Sequence, residues 1–343
     1  MTHVRSSETT ISAYAALEAG RPLQAYRYIP RELGPNDVEI AVSHCGICHT
    51  DLHLTNNDFG ISSYPLVPGH EIVGHVAQVG SHARTLALGQ RVGVGWWAGA
   101  CFTCDQCDSG HDNSCPKALP TCVGHEGGYA THVRVDERLA FPIPDALSSE
   151  AAAPLFCAGI TVFAPLLEHA RATSRVGVIG IGGLGHLALQ YARAFGCHVT
   201  AFSGSAAKAS EAKRFGAHEF VSTSAPDALK AHAGSCDLLL ATVSADIPWK
   251  DYLPMLKAGG KLAVLGVPPH DVQFAALPLI LGRQSIVMSP VGSRSEIKAM
   301  LEFSARHRIV PQVEVFPMKE VNKVFRRLAD NQVRYRAVLT NAD

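Results

Sequence analysis

R-V-G-V-I-G-I-G-G-L-G, residues 175–185, joins a short aliphatic strand to a glycine-rich turn. Gly180, Gly182 and Gly185 match the G-x-G-x-x-G pattern, and Leu184 opens a segment with apolar residues at helical spacing. A turn of this kind between a strand and a helix presents the free N–H groups of the helix N-terminus to a pyrophosphate. The stretch therefore predicts a dinucleotide-binding unit, with a glycine-rich loop in an unrelated α/β unit as the alternative.

The sequence on the C-terminal side of this unit alternates aliphatic runs with helical stretches. Strands are predicted at residues 198–203, 219–222, 236–242 and 261–266, with a helix at 206–215 between the first two. Alternation of this kind predicts a parallel sheet with right-handed crossover connections.

The N-terminal part has a different pattern. Up to about residue 141, short apolar stretches at 38–42, 72–79 and 91–95 are separated by Gly and Pro, which predicts a mostly antiparallel, barrel-like unit. Two amphipathic helices and a final strand, within residues 296–339, could rejoin this part. We therefore predict an α/β chain with a β-rich, discontinuous first domain.

Length and composition limit the possible functions. The 343 residues suit two domains, and 30 Lys+Arg against 30 Asp+Glu argue against nucleic acid or an anionic membrane as a partner. No apolar run approaches the roughly 18 residues that span a bilayer, and no apolar leader segment is visible, so the cytoplasm is expected. In a reducing compartment, the 10 Cys are better interpreted as metal ligands or buried thiols than as disulfides.

Four cysteines lie within fifteen residues in the pattern C-x2-C-x2-C-x7-C: Cys101, Cys104, Cys107 and Cys115. Zinc favours four thiolates in a tetrahedron, and two-residue gaps let a tight loop wrap around the ion. Because four cysteines leave no open coordination position, a zinc ion here would be structural. An iron–sulfur cluster and four unrelated buried thiols are the alternatives.

A second candidate metal site combines distant segments. A catalytic zinc needs three protein ligands and one open position, and Cys48, His70 and Cys157 could supply two thiolates and an imidazole. Glu71 could act as a transient fourth ligand or as a carboxylate outside the ligand set. Spacing alone does not decide between Cys45 and Cys48, which form a C-x-x-C pair that could also be redox-active.

The predicted second strand of the dinucleotide-binding unit ends in Phe202–Lys208, a stretch without a carboxylate. An NAD site normally places Asp or Glu there to bind the adenosine ribose diol. Ser203, Ser205 and Lys208 instead offer two hydroxyls and one ammonium. We therefore expect NADP(H) rather than NAD(H).

With these motifs in view, the sequence resembles the zinc-containing medium-chain alcohol dehydrogenases, closest to their cinnamyl alcohol dehydrogenase-like branch. The resemblance runs from about residue 25 to 338 and rests on C-G-I-C-H-T-D-L-H, Y-P-L-V-P-G-H-E-I-V-G, the four-cysteine lobe, C-A-G-I-T-V, G-I-G-G-L-G-H and V-R-Y-R. It implies a β-rich GroES-like catalytic domain (residues 1–153 and 293–343) with a structural zinc lobe at 99–116. Residues 154–292 would form a Rossmann NADP-binding domain with a doubly wound parallel sheet.

The resemblance also implies roles for individual residues. Cys48, which directly precedes His49-Thr50, corresponds to the catalytic zinc ligand, with His70, Cys157 and the neighbouring Glu71. Thr50 corresponds to the hydroxyl that contacts the substrate oxygen, His53 to the end of the proton relay, and Asp51 to the carboxylate that orients the ligand histidine. The residues implied in cofactor binding are Thr161, Gly180, Gly182, Gly183, Leu184, Gly185, Ser203, Ser205, Lys208, Thr242, Gly266, Ser289 and Val291.

The expected activity is hydride transfer between NADP(H) and a primary alcohol/aldehyde pair, with two zinc ions per chain and aldehyde reduction as the favoured direction. The implied site lies between the two domains, and the implied assembly is a homodimer. A zinc polyol dehydrogenase and an inactive nucleotide-binding scaffold are the alternatives. Trp96-Trp97 departs from the lignin-pathway enzymes; if Trp96 lines the substrate pocket, smaller aldehydes are favoured, and hydrophobic packing is the other interpretation.

Overall fold

The computed structural model describes residues 10–225, 227–288 and 290–341. They form two compact units. One extends to Cys157 and also includes Ser293–Leu301 and the residues from Gln312 onward. The other comprises Ala158–Gly292 and Glu302–Pro311. The first division therefore falls after Cys157 rather than after residue 153, and a short segment beyond residue 301 returns to the second unit.

The strands, in chain order, are β1 (Ile11–Ala15), β2 (Gln24–Tyr28), β3 (Asp37–Ile47), β4 (Ile72–Val79), β5 (Arg91–Val94), β6 (Trp97–Gly99), β7 (Leu119–Pro120), β8 (His132–Asp136), β9 (Phe141–Pro142), β10 (Arg175–Ile179), β11 (His198–Ser203), β12 (Glu219–Ser222), β13 (Cys236–Ala241), β14 (Leu256–Val264), β15 (Ser285–Val287), β16 (Val313–Pro317) and β17 (Arg336–Thr340).

The α-helices are α1 (His49–Asn56), α2 (Asp105–Asp108), α3 (Ser149–Ala152), α4 (Ala158–His169), α5 (Gly185–Ala194), α6 (Ala209–Arg214), α7 (Trp249–Tyr252), α8 (Ala276–Gly282), α9 (Arg294–His307) and α10 (Val321–Ala329). Single 3₁₀ turns occupy Asp112–Ser114, Glu137–Leu139, Ala153–Phe156, Ala206–Lys208, Lys230–His232, Leu253–Met255 and Met318–Glu320.

The first unit is built on a mostly antiparallel sheet in the order β16-β17-β3-β4-β5-β9, with β8 also paired to β3. Strand β3 lies at its centre and buries Val38, Ile40 and Val42 in the core. The C-terminal strand β17 pairs antiparallel with β3, with Leu339 opposite Cys45. The tail of the chain therefore returns to the first unit, beside the segment that leads into the predicted metal site.

The second unit contains a parallel sheet in the order β12-β11-β10-β13-β14-β15. This order reverses direction at β10, as in doubly wound dinucleotide-binding sheets. Within the unit, the rings of Phe163, Tyr191 and Phe303 pack together, with Phe163 and Tyr191 centred 5.5 Å apart. The α/β fold class predicted from the sequence is confirmed.

Among the described residues, no single helix is long and apolar enough to cross a membrane. One bent pair, Ser149–Phe156 with Ala158–His169, meets the test for length and composition only.

Candidate metal centres and cofactor site

The four lobe cysteines bring their sulfur atoms together. The Sγ–Sγ distances are 3.6 Å for Cys104–Cys107, 3.5 Å for Cys101–Cys115, 3.9 Å for Cys104–Cys115 and 4.0 Å for Cys101–Cys107. A tetrahedron with zinc–sulfur bonds of roughly 2.3 Å has edges of about 3.8 Å. The four thiols are unpaired and their arrangement fits a closed zinc site.

A second donor group unites Cys48, His70, Glu71 and Cys157, whose donor atoms all lie within 4.8 Å of one another. Cys48 follows the end of β3 and His70 and Glu71 precede β4, and these strands pair so that Cys45 lies opposite Ile72. The sheet therefore places the first two segments side by side, although Cys48 and His70 are 22 positions apart in the sequence.

Cys157 reaches this group from the 3₁₀ turn Ala153–Phe156. The turn lies directly on β5, because a Cβ on Gly93 would collide with the ring of Phe156. A Cβ on Gly95 would lie 2.6 Å from the Phe156 carbonyl oxygen. These two glycines let the turn approach closely enough for the Cys157 sulfur to lie 3.9 Å from that of Cys48.

Cys45 lies outside this donor group. Its side chain is fully buried, and Cβ atoms on Gly69 and Gly128 would lie 2.8 and 2.9 Å from its sulfur. Burial raises the pKa of the Cys45 thiol well above its usual value. The geometry therefore brings Cys48, and not Cys45, to His70 and Cys157.

The pKa values of the Cys48 and Cys157 thiols are shifted in opposite directions. The hydrogen bond with Cys157 holds the pKa of Cys48 well below its usual value, and the same bond raises the pKa of Cys157. Opposite shifts of this kind describe two thiols that share one proton between them. The pair is thus suited to a cation, which would replace that proton.

Glu71 is completely buried. Its Oε1 accepts a hydrogen bond from the Arg336 guanidinium, while Oε2 has no partner among the described residues. Burial raises the pKa of Glu71 to about 7, although the charge of Arg336 opposes this shift. Gly46 leaves the space for the unpaired oxygen, because a Cβ there would collide with it. An orphaned buried carboxylate oxygen beside two thiols and an imidazole fits a metal ion.

Asp51 orients the histidine of this group. Its Oδ1 lies 2.9 Å from His70 Nδ1, which leaves Nε2 of the imidazole for the donor group. Burial disfavours a charged imidazole, but the Asp51 carboxylate overrides this effect and raises the pKa of His70 well above its usual value.

Helix α1 carries the two predicted proton-relay residues. The Cys48 thiol donates to Thr50 Oγ1 across 3.6 Å, so Thr50 lies beside the donor group. His53 follows one turn later, with Nδ1 2.7 Å from the Asp58 carboxylate and its ring 5.2 Å from that of Phe59.

Trp96 lies next to the donor group. Its ring meets the His70 imidazole edge-on at 5.3 Å and meets Trp97 at 6.1 Å. It also packs against the buried Leu54 and Cys122. The hydrophobic packing interpretation of Trp96 therefore holds, and its place in the substrate pocket stays a prediction.

The glycine-rich turn of the second unit has the predicted strand–turn–helix context, with β10 before it and α5 beginning at Gly185. Gly180 has φ +89°, a conformation that favours glycine. Its carbonyl oxygen occupies the space of a Cβ on Gly185, whereas a Cβ on Gly182 would meet nothing within 4 Å. The turn therefore has one open face along its backbone, as close approach of a phosphate requires.

The predicted 2′-phosphate residues lie at the end of β11. Ser203 is buried and accepts a hydrogen bond from the Ser205 N–H at 3.2 Å. Lys208 donates to the carbonyl oxygen of Ile181, inside the glycine-rich turn, at 2.6 Å. Lys208 is therefore attached to the turn.

The other predicted cofactor-binding residues that the structure describes lie on or next to several different elements of the second unit. The Thr242 hydroxyl lies 2.9 Å from the Ile179 carbonyl and 3.0 Å from that of Gly180, so it supports the turn. Gly266 follows β14, Thr161 lies in α4, and Val291 has φ +50°. Ser289 lies outside the described residues.

The sequence did not predict the roles of Arg336, Tyr129 and Asp58, which bond to Glu71, Asp51 and His53, respectively. Arg336 is the last residue of the V-R-Y-R motif, but nothing in the sequence relates it to Glu71, which lies 265 positions earlier.

Comparison with known proteins agrees with this geometry. Residues 34–145 match the alcohol dehydrogenase GroES-like domain, and residues 183–306 match the zinc-binding dehydrogenase domain. An aldehyde reductase of Synechocystis sp. is 44% identical over 97% of this chain and 99% of its own length. A mannitol dehydrogenase of Petroselinum crispum is 40% identical over 94% of this chain and 98% of its own length.

Among solved structures, a cinnamyl alcohol dehydrogenase of Sorghum bicolor has a TM-score of 0.93 with 38% identity, covering 97% of this chain and 98% of the other. One from Helicobacter pylori, complexed with NADP(H), has a TM-score of 0.90 with 29% identity, covering 96% and 98%. Fold and sites together define a zinc-binding oxidoreductase. The chain belongs to the zinc-containing medium-chain alcohol dehydrogenase family, in its cinnamyl alcohol dehydrogenase-like branch, which confirms the resemblance inferred from the sequence.

Proposed function

We propose that this chain is an NADP(H)-dependent zinc aldehyde reductase that interconverts small aldehydes and primary alcohols. The observation that carries the proposal is the donor group Cys48, His70 and Cys157, with the orphaned oxygen of Glu71 beside it. Two thiolates, one imidazole and one replaceable ligand are the donor set of a catalytic zinc. Bound there, zinc supplies a Lewis acid for the substrate oxygen, and NADP(H) supplies or accepts the hydride.

Other residues of the chain orient the proposed zinc ligands. Asp51 fixes the orientation of His70, and Arg336 binds Oε1 of Glu71, which leaves Oε2 as the carboxylate oxygen without a partner among the described residues. In this proposal Glu71 is a transient fourth ligand. The lobe cysteines 101, 104, 107 and 115 hold the second, structural zinc.

Thr50 and His53 move the proton. They are three residues apart on α1, which places them on neighbouring turns of one helix face. The Thr50 hydroxyl lies beside the donor group, and His53 is partly exposed, with its Nδ1 held by Asp58. A proton received at Thr50 can thus pass toward an imidazole that reaches solvent.

Small substrates are favoured by Trp96. Its indole is partly exposed and lies 5.3 Å from the His70 ring. A rigid aromatic side chain so close to the ligand histidine leaves less room for a bulky phenylpropenyl aldehyde than a smaller residue would.

For the cofactor, Ser203, Ser205 and Lys208 bind the 2′-phosphate, since no carboxylate stands at the end of β11. The glycines at 180–185, Thr161, Thr242, Gly266 and the stretch 289–291 complete the cofactor site. The H. pylori relative, whose structure contains NADP(H), is consistent with this choice.

The working form is a homodimer joined through the second unit. Strand β15 is the last of its sheet, and α8 exposes Leu277, Ile280 and Leu281 at 64, 68 and 76%. Among the described residues this edge of the sheet has no further strand, and beside an exposed apolar helix it suits a second copy, which would extend the sheet and cover the helix. The free thiols of all ten cysteines suit the cytoplasm.

The name of the P. crispum relative makes a mannitol-type polyol dehydrogenase the second candidate. Metal analysis combined with NADPH oxidation across a panel of aldehydes, ranked by kcat/KM, distinguishes the possibilities. Two zinc ions per chain with aldehyde turnover supports the proposal. NAD(P)+-dependent oxidation of mannitol with greater efficiency supports the second candidate, and one zinc without turnover supports an inactive scaffold.

A further inference from the structure

Asp51 is fully buried, and its carboxylate accepts four hydrogen bonds. Oδ1 accepts from the Gly69 N–H at 3.0 Å and from His70 Nδ1 at 2.9 Å. Oδ2 accepts from the Cys48 N–H at 2.9 Å and from the Tyr129 hydroxyl at 3.1 Å. A buried carboxylate needs its oxygens paired, and these four bonds occupy both sides of the group.

Three of these donors come from the segments that carry the proposed zinc ligands. The fourth, Tyr129, is 78 residues away from Asp51 in the sequence and contributes a side-chain hydroxyl alone. Nothing in the mechanism described above uses this side chain.

The Tyr129 ring is itself held firmly. It is completely buried, its centre lies 6.1 Å from that of the Phe325 ring in a T-shaped arrangement, and a Cβ on Gly69 would lie 2.6 Å from its Cδ1. Its backbone N–H donates to the Pro68 carbonyl at 2.9 Å, and its own carbonyl accepts from the Tyr14 N–H at 2.8 Å. The hydroxyl is therefore presented to Asp51 from a position that the packing determines.

We propose that Tyr129 is a positioning residue for the catalytic zinc site. Its hydroxyl holds the Asp51 carboxylate in the rotation that directs Oδ1 to His70 Nδ1, and thus turns Nε2 of His70 toward Cys48 and Cys157. Without the hydroxyl, Oδ2 keeps only the Cys48 N–H, and the carboxylate and imidazole gain rotational freedom. Groups that orient a ligand histidine typically change metal affinity or activity by about 10- to 100-fold. The inference rests on the proposed function, because it needs zinc at this donor group.

The test is Tyr129→Phe, which removes the hydroxyl and keeps the ring. Tyr191→Phe is the matched control, because Tyr191 is also completely buried and its hydroxyl lies 2.6 Å from Ser304 Oγ, in the second unit. The measurement is the rate at which a chelator removes each zinc from the purified holoenzyme. We expect Tyr129→Phe to lose one zinc at least about 10-fold faster than the wild type, to retain the other, and to show an altered absorption spectrum when Co²⁺ replaces the labile ion. Tyr191→Phe should match the wild type in all three.

Equal zinc release from the two Tyr→Phe variants overturns the inference. The same measurement in an Asp51→Asn background separates positioning from general loosening: the effect of Tyr129→Phe should disappear there, and an undiminished effect contradicts the proposal. If Cys48→Ser keeps both zinc ions, the metal assignment itself fails, whatever the Tyr129 variant shows.

Discussion

The His53 imidazole is bonded to the Asp58 carboxylate, with 2.7 Å between Nδ1 and Oδ2. Since the carboxylate accepts, Nδ1 carries the proton and Nε2 of the neutral ring is left as an acceptor. The backbone reinforces the pair, because the Asp58 N–H donates to the His53 carbonyl at 2.9 Å. A histidine with a fixed tautomer and an accepting Nε2 is equipped to receive a proton, as the proposed relay requires.

Replacing Asp58 by Asn should therefore slow alcohol oxidation. An amide can donate to Nδ1 and stabilise the tautomer in which Nε2 already carries a proton. We expect kcat for oxidation to fall, but by less than the roughly 10- to 1000-fold loss expected for His53→Gln, because the imidazole remains. The check is the pH–rate profile of oxidation.

Asp246→Asn is the control for Asp58→Asn, because Asp246 forms a more exposed 2.6 Å pair with His270 in the second unit. It should leave the profile unchanged. Equal pH–rate profiles for the two variants would contradict a role of Asp58 in the relay.

The two metal sites should respond differently to loss of a ligand. Cys48→Ser should abolish turnover and remove one zinc while the protein stays folded, because the donor group lies at the end of a well-packed sheet. Cys104→Ser should lower soluble yield and thermal stability, since the lobe has little core of its own and a structural zinc contributes folding free energy directly. Zinc content and Tm measure both effects. A Cys48→Ser enzyme with full activity and two zinc ions contradicts the assignment.

How far the sequence could predict these sites depends on how local their signals are. Strands β11 and β12 begin and end at the predicted residues, since each is a short stretch with apolar residues that follows a glycine turn, at Gly196 or Gly216. Helix α1 was not predicted as a helix, because it is short and buries Asp51 and Thr55, polar residues that give no apolar periodicity.

The contacts that complete the catalytic site are not local. Arg336 meets Glu71 only because β17 pairs with β3 across nearly the whole chain, and Tyr129 meets Asp51 through the packing of the first unit. Such contacts depend on strand pairing, which hydrophobic patterns in a single sequence do not specify. The metal ligands could be proposed from motifs and family resemblance, whereas the residues that orient them required the structure.

Acid should weaken the first unit through Glu137. Burial would raise the pKa of this carboxyl, but N–H and O–H donors from Thr85 and the N–H of Arg84 more than compensate, so its pKa is lowered. A lowered folded-state pKa means that its contribution is present above the unfolded pKa of about 4.3 and is lost as the pH falls through the folded value.

Glu137→Gln should therefore destabilise the protein by about 2 kcal/mol at pH 7, the range for a charged hydrogen bond, and by less below pH 4. Urea unfolding at several pH values measures the difference, with the exposed Glu32→Gln as control. A difference from the wild type that does not change with pH would show that the carboxylate charge has no role.

Cofactor choice should follow from the end of β11. A 2′-phosphate there gains the hydroxyls of Ser203 and Ser205 and the ammonium of Lys208, and a charge-assisted hydrogen bond contributes about 1.5–3 kcal/mol. NADPH should exceed NADH in kcat/KM by at least ~10-fold, since 1.4 kcal/mol corresponds to a factor of ten. Added salt should weaken this preference.

Substitutions at this position separate recognition of the phosphate from support of the turn. Because Lys208 also donates to the Ile181 carbonyl, Lys208→Ala should weaken both cofactors through the glycine-rich turn, and NADPH more than NADH through the lost ammonium. Lys213→Ala, on the exposed side of α6, is the control.

Ser203→Asp should shift the cofactor preference furthest, since its carboxylate repels the phosphate and can bind the ribose diol of NADH. The measurement is kcat/KM for both cofactors at two ionic strengths. Equal wild-type efficiency with NADPH and NADH, or an unaltered preference in Lys208→Ala, would mean that Lys208 only supports the turn.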